Sequence, residues 1–110
     1  MEFNLEASEN YKLISEKIPE KYKEDIKKSY KYLKERGCKS VYLFGSLVTG
    51  KIHENSDIDI GIKGLPPQNF FKAYSDLYFN LNNKFDLVDF DSSNKFFLLL
   101  NEINEVIEIG

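Results

Sequence analysis

The sequence predicts a single α/β (α+β) domain with the order ααβ-turn-βαβαβ. Three observations predict it. Apolar residues recur at helical spacing before residue 37. Residues 57–63 alternate strictly between apolar and polar or small side chains. Beyond them, short strand-like runs alternate with helical patterns, which is the pattern of a mixed domain built around one sheet.

Ser8 to Ile18 carries Tyr11, Ile14 and Ile18 on one helical face. Pro19 suits the first turn of a new helix, because it has no N–H to satisfy. Tyr22, Ile26, Tyr30 and Leu33 continue that helix to Arg36, and Gly37 ends it. Ser40 to Phe44 is a short run of strand formers, and Leu47–Thr49 has room only for a short helix. In the next strand, Asp57 to Lys63, Asp57, Asp59 and Gly61 share one face and Ile58, Ile60 and Ile62 the other. Gly64-Leu-Pro-Pro67 breaks it. A helix follows through Phe70, Phe71, Tyr74, Leu77, Tyr78 and Leu81, whose apolar face is read as core, with a partner interface as the alternative. Lys84 to Phe90 reads as a strand, Asn94 to Asn101 as a helix, and Val106, Ile107 and Ile109 as a closing strand.

With 110 residues there is material for one core, but not for a separate substrate domain. The expected organisation is a pair of N-terminal helices (1–36) packed on a core of residues 37–110. A hydrophobic share of 42% excludes a disordered chain. Net charge is −3: residues 1–36 hold nine Lys/Arg and eight Asp/Glu (+1), residues 37–110 six and ten (−4). That balance disfavours nucleic-acid binding by bulk charge. The lysines between Lys12 and Lys34 are interleaved with glutamates, as on a solvated helix face. Cys38 is the one cysteine, which excludes an internal disulfide and suits a small core residue. No apolar run is long enough to span a bilayer, and MEFNLEASEN lacks a signal-peptide pattern. The expectation is a cytoplasmic protein with no membrane partner.

Two short motifs mislead. Gly45-Ser-Leu-Val-Thr-Gly-Lys51 imitates a phosphate-binding P-loop, but Ile52 stands where the Mg²⁺-binding hydroxyl belongs. Only residues 51–56 precede the next strand, whereas a parallel crossover needs about a dozen residues or more. Asn55, Asp57 and Asp59 imitate the start of a calcium loop. Its turn glycine would fall on Ile60 and its closing glutamate on Pro66.

The carboxylates are more informative. Asp57 and Asp59 lie two apart on a predicted strand, with Cα atoms about 6.5–7 Å apart and both side chains on one face. Such a pair can converge on divalent ions, and a two-metal site usually takes a third carboxylate. Asp86 and Asp89 lie on opposite faces of the next strand, so only one can join the pair. Gly45 and Ser46, at the end of the first strand, allow close approach of a phosphate to the backbone. Each feature alone has an ordinary reading, a plain turn or a solvated strand face. Their joint order and spacing point to a metal-bound triphosphate.

Gly45-Ser46, ten residues, then Asp57-Ile-Asp59 resembles the motif of the polymerase-beta-like nucleotidyltransferases, and most of all the minimal nucleotidyltransferases. The similarity runs from about Val41 to Gly110, carried by LFGS, SDIDIGI and FDLVDFD. It implies that fold, a small mixed sheet flanked by helices. It also implies that Asp57 and Asp59 bind two Mg²⁺ ions. Asp86, which opens an apolar strand as the family's third carboxylate does, would ligate one ion and help deprotonate the acceptor hydroxyl. Gly45 and Ser46 would hold the β- and γ-phosphates of a nucleoside triphosphate. The acceptor attacks the α-phosphorus and pyrophosphate leaves. The sequence departs from many relatives in one respect: Leu47 and Thr49 replace the arginines that follow their Gly-Ser pair, and Lys51 is the one cation near that turn.

The resemblance further implies an antitoxin that moves AMP from ATP to a tyrosine of a HEPN-domain ribonuclease toxin. The small chain suits a large acceptor that brings its own surface. Transfer to a small hydroxylated molecule or an RNA end is the second reading, and a non-enzymatic toxin-binding module the third. Homo- and hetero-oligomers both remain open.

Overall fold

The computed structural model describes residues 3–110. The first two residues of the expected 1–36 helical region lie outside the described residues. A short α1 (Glu9–Ser15) is capped by the Ser8 side chain, which accepts from the Tyr11 N–H. The predicted helix thus stops short of Ile18. Pro19 is the residue before α2 (Glu20–Glu35) rather than inside its first turn. Lys23–Glu20 and Lys28–Glu24 pairs lie along α2, as mixed-sign patterning implies.

β1 (Ser40–Phe44) ends in Gly45 and the one-turn α3 (Ser46–Thr49), and Gly50 closes that turn. The chain then crosses to β2 (Ile58–Lys63), so Asp57, predicted as the first residue of this strand, stands immediately before it. α4 (Phe70–Asn80), β3 (Phe85–Asp89), α5 (Asn94–Glu102) and β4 (Val106–Glu108) complete the order. The sheet runs β3-β2-β1-β4. β1 is antiparallel to β2 and β4, and β2 is parallel to β3. Because β1 and β2 are antiparallel, no crossover helix is needed between them.

Two cores form on the two sheet faces. One joins Tyr22, Ile26 and Leu33 of α2, Val41 and Leu43 of β1, the three isoleucines of β2, and Ala73 and Leu77 of α4. The second is smaller and mostly aromatic: Tyr42, Phe44, Phe90 and Leu100, with Phe97 of α5 against them. The Phe90 ring stands against Gly61, where a Cβ would fall 2.0 Å from it. Cys38 is buried, its Sγ donating to the Ser40 and Lys63 carbonyls, and burial pushes its thiol pKa up.

The aromatic face of α4 corrects the expectation of core. Ala73 and Leu77 are buried, but Phe71 is 82% and Tyr78 64% exposed, and Phe79 is exposed as well. α4 packs beside β3, the edge strand, so only one flank of its apolar stripe finds neighbours. Among the described residues no helix is long and apolar enough to cross a membrane.

Candidate active site

Sheet register brings the carboxylates together. Asp59 pairs with Asp86 across the parallel β2–β3 ladder and with Phe44 across the antiparallel β1–β2 ladder. Paired positions share a face, so Asp59 and Asp86 project from the same side of the sheet. Asp57 lies two residues before Asp59. Asp89 pairs with Ile62 on the opposite face, and its carboxylate accepts from the Asp91 N–H instead. Of the two candidates for a third carboxylate, register therefore selects Asp86.

Gly45 follows Phe44 and stands against Asp59. Its φ of 73° is one that glycine adopts without strain, and a Cβ there would fall 2.4 Å from Asp59 Oδ2. No other residue fits this contact. Ser46 comes next, half-exposed, as the first residue of α3. The turn, the half-buried Asp59 and the exposed Asp57 and Asp86 thus share one end of the sheet.

Electrostatics mark this end as short of positive charge. Burial, then the neighbouring Asp86 and Asp57 charges, pushes the Asp59 carboxyl up to about 6. Among the described residues, no three His, Cys, Asp or Glu side chains converge into a closed metal-ligand set. Asp57 and Asp86 are exposed. An all-oxygen, anionic donor set of this kind suits a hard divalent cation such as Mg²⁺, which would relieve the repulsion. Leu47, at the first position where many relatives place an arginine, is buried in the core under β1. Thr49 and Lys51 are exposed.

Two residues of α2 hold the segments that carry these carboxylates, and sequence reasoning missed both. The Tyr22 hydroxyl donates to the Ser56 carbonyl at 2.9 Å, just before Asp57. Asp25 is buried and accepts from the backbone N–H groups of Asn82 and Asn83 and from the Asn83 side-chain amide, at 2.8–3.1 Å. Those two asparagines lead into β3 and Asp86. The signal was present: an aspartate inside a helix, three residues after a core tyrosine and next to a core isoleucine, sits on the apolar stripe. A charge there needs partners.

A family model described as polymerase beta, nucleotidyltransferase matches residues 24–109. The chain belongs to this family. The match begins inside α2, well before Val41. A chain from the crystal structure of a toxin–antitoxin with AMP-PNP is similar in fold, with a TM-score of 0.60 and 26% identity over 79% of this chain and 71% of that one. A chain from a mutant MntA–HpeT toxin–antitoxin is similar at a TM-score of 0.59 and 24% identity, over the same shares. No curated protein matches this nucleotidyltransferase.

Proposed function

We propose that this nucleotidyltransferase moves AMP from ATP to a tyrosine hydroxyl of a partner protein, a HEPN-domain ribonuclease toxin, and so acts as a cytoplasmic antitoxin. The observation that carries the reading is the register of Asp59 with Asp86, with Gly45-Ser46 against Asp59. The toxin–antitoxin with AMP-PNP, similar over most of this chain, supports a nucleotide substrate and a toxin partner.

In this reading Gly45 and Ser46 receive the β- and γ-phosphates, and Asp57, Asp59 and Asp86 would hold two Mg²⁺ ions. Bound there, the ions would neutralise charge on the attacking and leaving oxygens. The acceptor oxygen bonds to the α-phosphorus. The bond from that phosphorus to the bridging oxygen of the β-phosphate breaks, and pyrophosphate leaves. The hydroxyl proton passes to the carboxylate of Asp86, which its exposure leaves within reach of an incoming acceptor.

The test is to incubate the chain with Mg²⁺, α-labelled ATP and the HEPN-domain protein encoded beside it. Label should appear on the partner with the wild type. Asp57→Asn with Asp59→Asn should lower it by about 10³-fold or more while the protein stays folded. A folded wild type that leaves the partner unlabelled overturns the reading. A double variant that neutralises the toxin as well as wild type would show that the transfer is not the mechanism.

A further inference from the structure

We propose that the flank of α5 carrying Phe96, Leu99 and Ile103 is the nucleobase subsite of the donor triphosphate. The proposal rests on the placement of the phosphates at Gly45-Ser46 given above, and is independent of the acceptor.

Sheet register puts this flank on the side of the sheet that bears the carboxylates. Phe44 pairs with Asp59, so the two share a face. The Phe96 ring meets the Phe44 ring edge-on, with centroids 5.6 Å apart at 85°. Phe97, the next residue, lies instead against Tyr42 and the Lys63 ammonium, at the end of the strands away from Asp59. Phe96 therefore marks the side of α5 that turns towards Asp59. Helical spacing places Leu99 and Ile103, three and seven residues on, along the same side. The far end of the helix is tied to the same segment of β1. Val106 pairs with Phe44, and the Gly45 N–H donates to the Glu105 carbonyl at 3.0 Å. Both ends of the flank are thus fastened to Phe44-Gly45, which leads into the phosphate turn.

These side chains are not used up by the core. Phe96, Leu99 and Ile103 are each about half-exposed, while Phe97 and Leu100, on the inner side of α5, belong to the aromatic core. A single exposed leucine is ordinary. Three apolar side chains along one flank, beside a site built for charged groups, mark a place where an apolar group binds.

The substrate's own chemistry names that group. With the phosphates at the Gly45-Ser46 turn, the nucleoside is what remains of the donor. Its base is flat, and its faces stack on a ring or pack on aliphatic side chains without needing a hydrogen bond. A protein is the poorer match, because three side chains fall well short of the roughly 800 Å² that a stable interface buries on each partner.

Leu99→Ala and Ile103→Ala test this, since each removes a half-exposed side chain, and a thermal melt checks that the fold is kept. Equilibrium affinities are measured for Mg-ATP and for magnesium tripolyphosphate, which has the phosphates without the nucleoside. The wild type should bind Mg-ATP more tightly than the tripolyphosphate. Each variant should lose about fivefold or more in Mg-ATP affinity and nothing in tripolyphosphate affinity. Leu98→Ala, exposed on the opposite side of α5, should bind both probes as the wild type does. Equal losses for the two probes, or no loss for Mg-ATP, overturn the proposal. A wild type that binds the two probes alike also overturns it, and leaves the phosphate site standing. A wild type that binds neither probe brings down the phosphate placement, and the subsite with it.

Discussion

The face of the sheet bearing Ile58, Ile60 and Ile62 is closed along its whole length by α2 and α4. The face bearing Asp59, Gly61 and Lys63 is closed at one end only. There Phe90 covers Gly61, Phe97 packs on Phe90, and the Lys63 ammonium lies 3.7 Å from the Phe97 ring centroid. At the other end Asp59 is half-buried and Asp86 is exposed. The same strand thus supplies a sealed surface and an active surface from alternate positions. The difference lies in what the neighbouring chain places above each residue: a ring demands glycine below it, and open water permits an ionisable carboxylate.

The closed end should be the less forgiving of substitution. Gly61→Ala would drive a Cβ into the fully buried Phe90 ring, at 2.0–2.7 Å from three of its atoms. Urea denaturation should show a loss of about 3 kcal/mol. A near-neutral Gly61→Ala would mean that the ring is not locked and that the contrast between the two ends is overstated.

The open end depends on α2. Asp25→Ala would leave the Asn82 and Asn83 N–H groups without their partner, and should cost about 2–3 kcal/mol on thermal or denaturant unfolding. It should also slow nucleotidyl transfer, because the segment leading to Asp86 loses its tether. Full activity at reduced stability would separate this anchor from the site.

Asp59 sharpens the contrast through pH. Its folded carboxyl titrates at about 6, against an ordinary value of 3.8 for the unfolded chain. Below about pH 4 both states hold the proton and the contribution to stability is complete. As pH rises from 4 through 6 the unfolded chain ionises first, so that contribution is lost and stays lost at neutral pH. Asp59→Asn should therefore raise metal-free stability at pH 7 by about 1–2 kcal/mol, after allowance for solvent screening of a half-open site. The difference between the two melting curves should shrink towards pH 4. Mg²⁺ should stabilise the wild type more than the variant. A variant less stable than wild type at pH 7 without metal would contradict the repulsion.

The smallest effect belongs to Tyr22→Phe, which removes one buried hydrogen bond to the Ser56 carbonyl. It should cost about 1 kcal/mol in a thermal melt. A larger loss of transfer than of stability would show that the bond serves the placement of Asp57 more than the core.

Local spacing alone was enough for the elements, the alternation of β2, the rejection of a P-loop and the pairing of Asp57 with Asp59. Those features depend on neighbours a few residues away, where backbone geometry dictates which side chains share a face. The family resemblance named Asp86, but a geometric reason to prefer it over Asp89 needed the β2–β3 register, which joins residues 27 positions apart. The exposure of Phe71 and Tyr78 was illegible because a helical period shows which residues share a flank, not whether anything packs against it. The burial of Leu47 and the tethering roles of Tyr22 and Asp25 depend likewise on contacts with distant segments. The sequence by itself determined the fold class and singled out Asp57, Asp59 and the Gly45-Ser46 turn as candidates. Only the tertiary structure decided which carboxylates meet, what α2 holds in place and which aromatic side chains remain exposed, because each of those follows from packing between segments far apart in the chain.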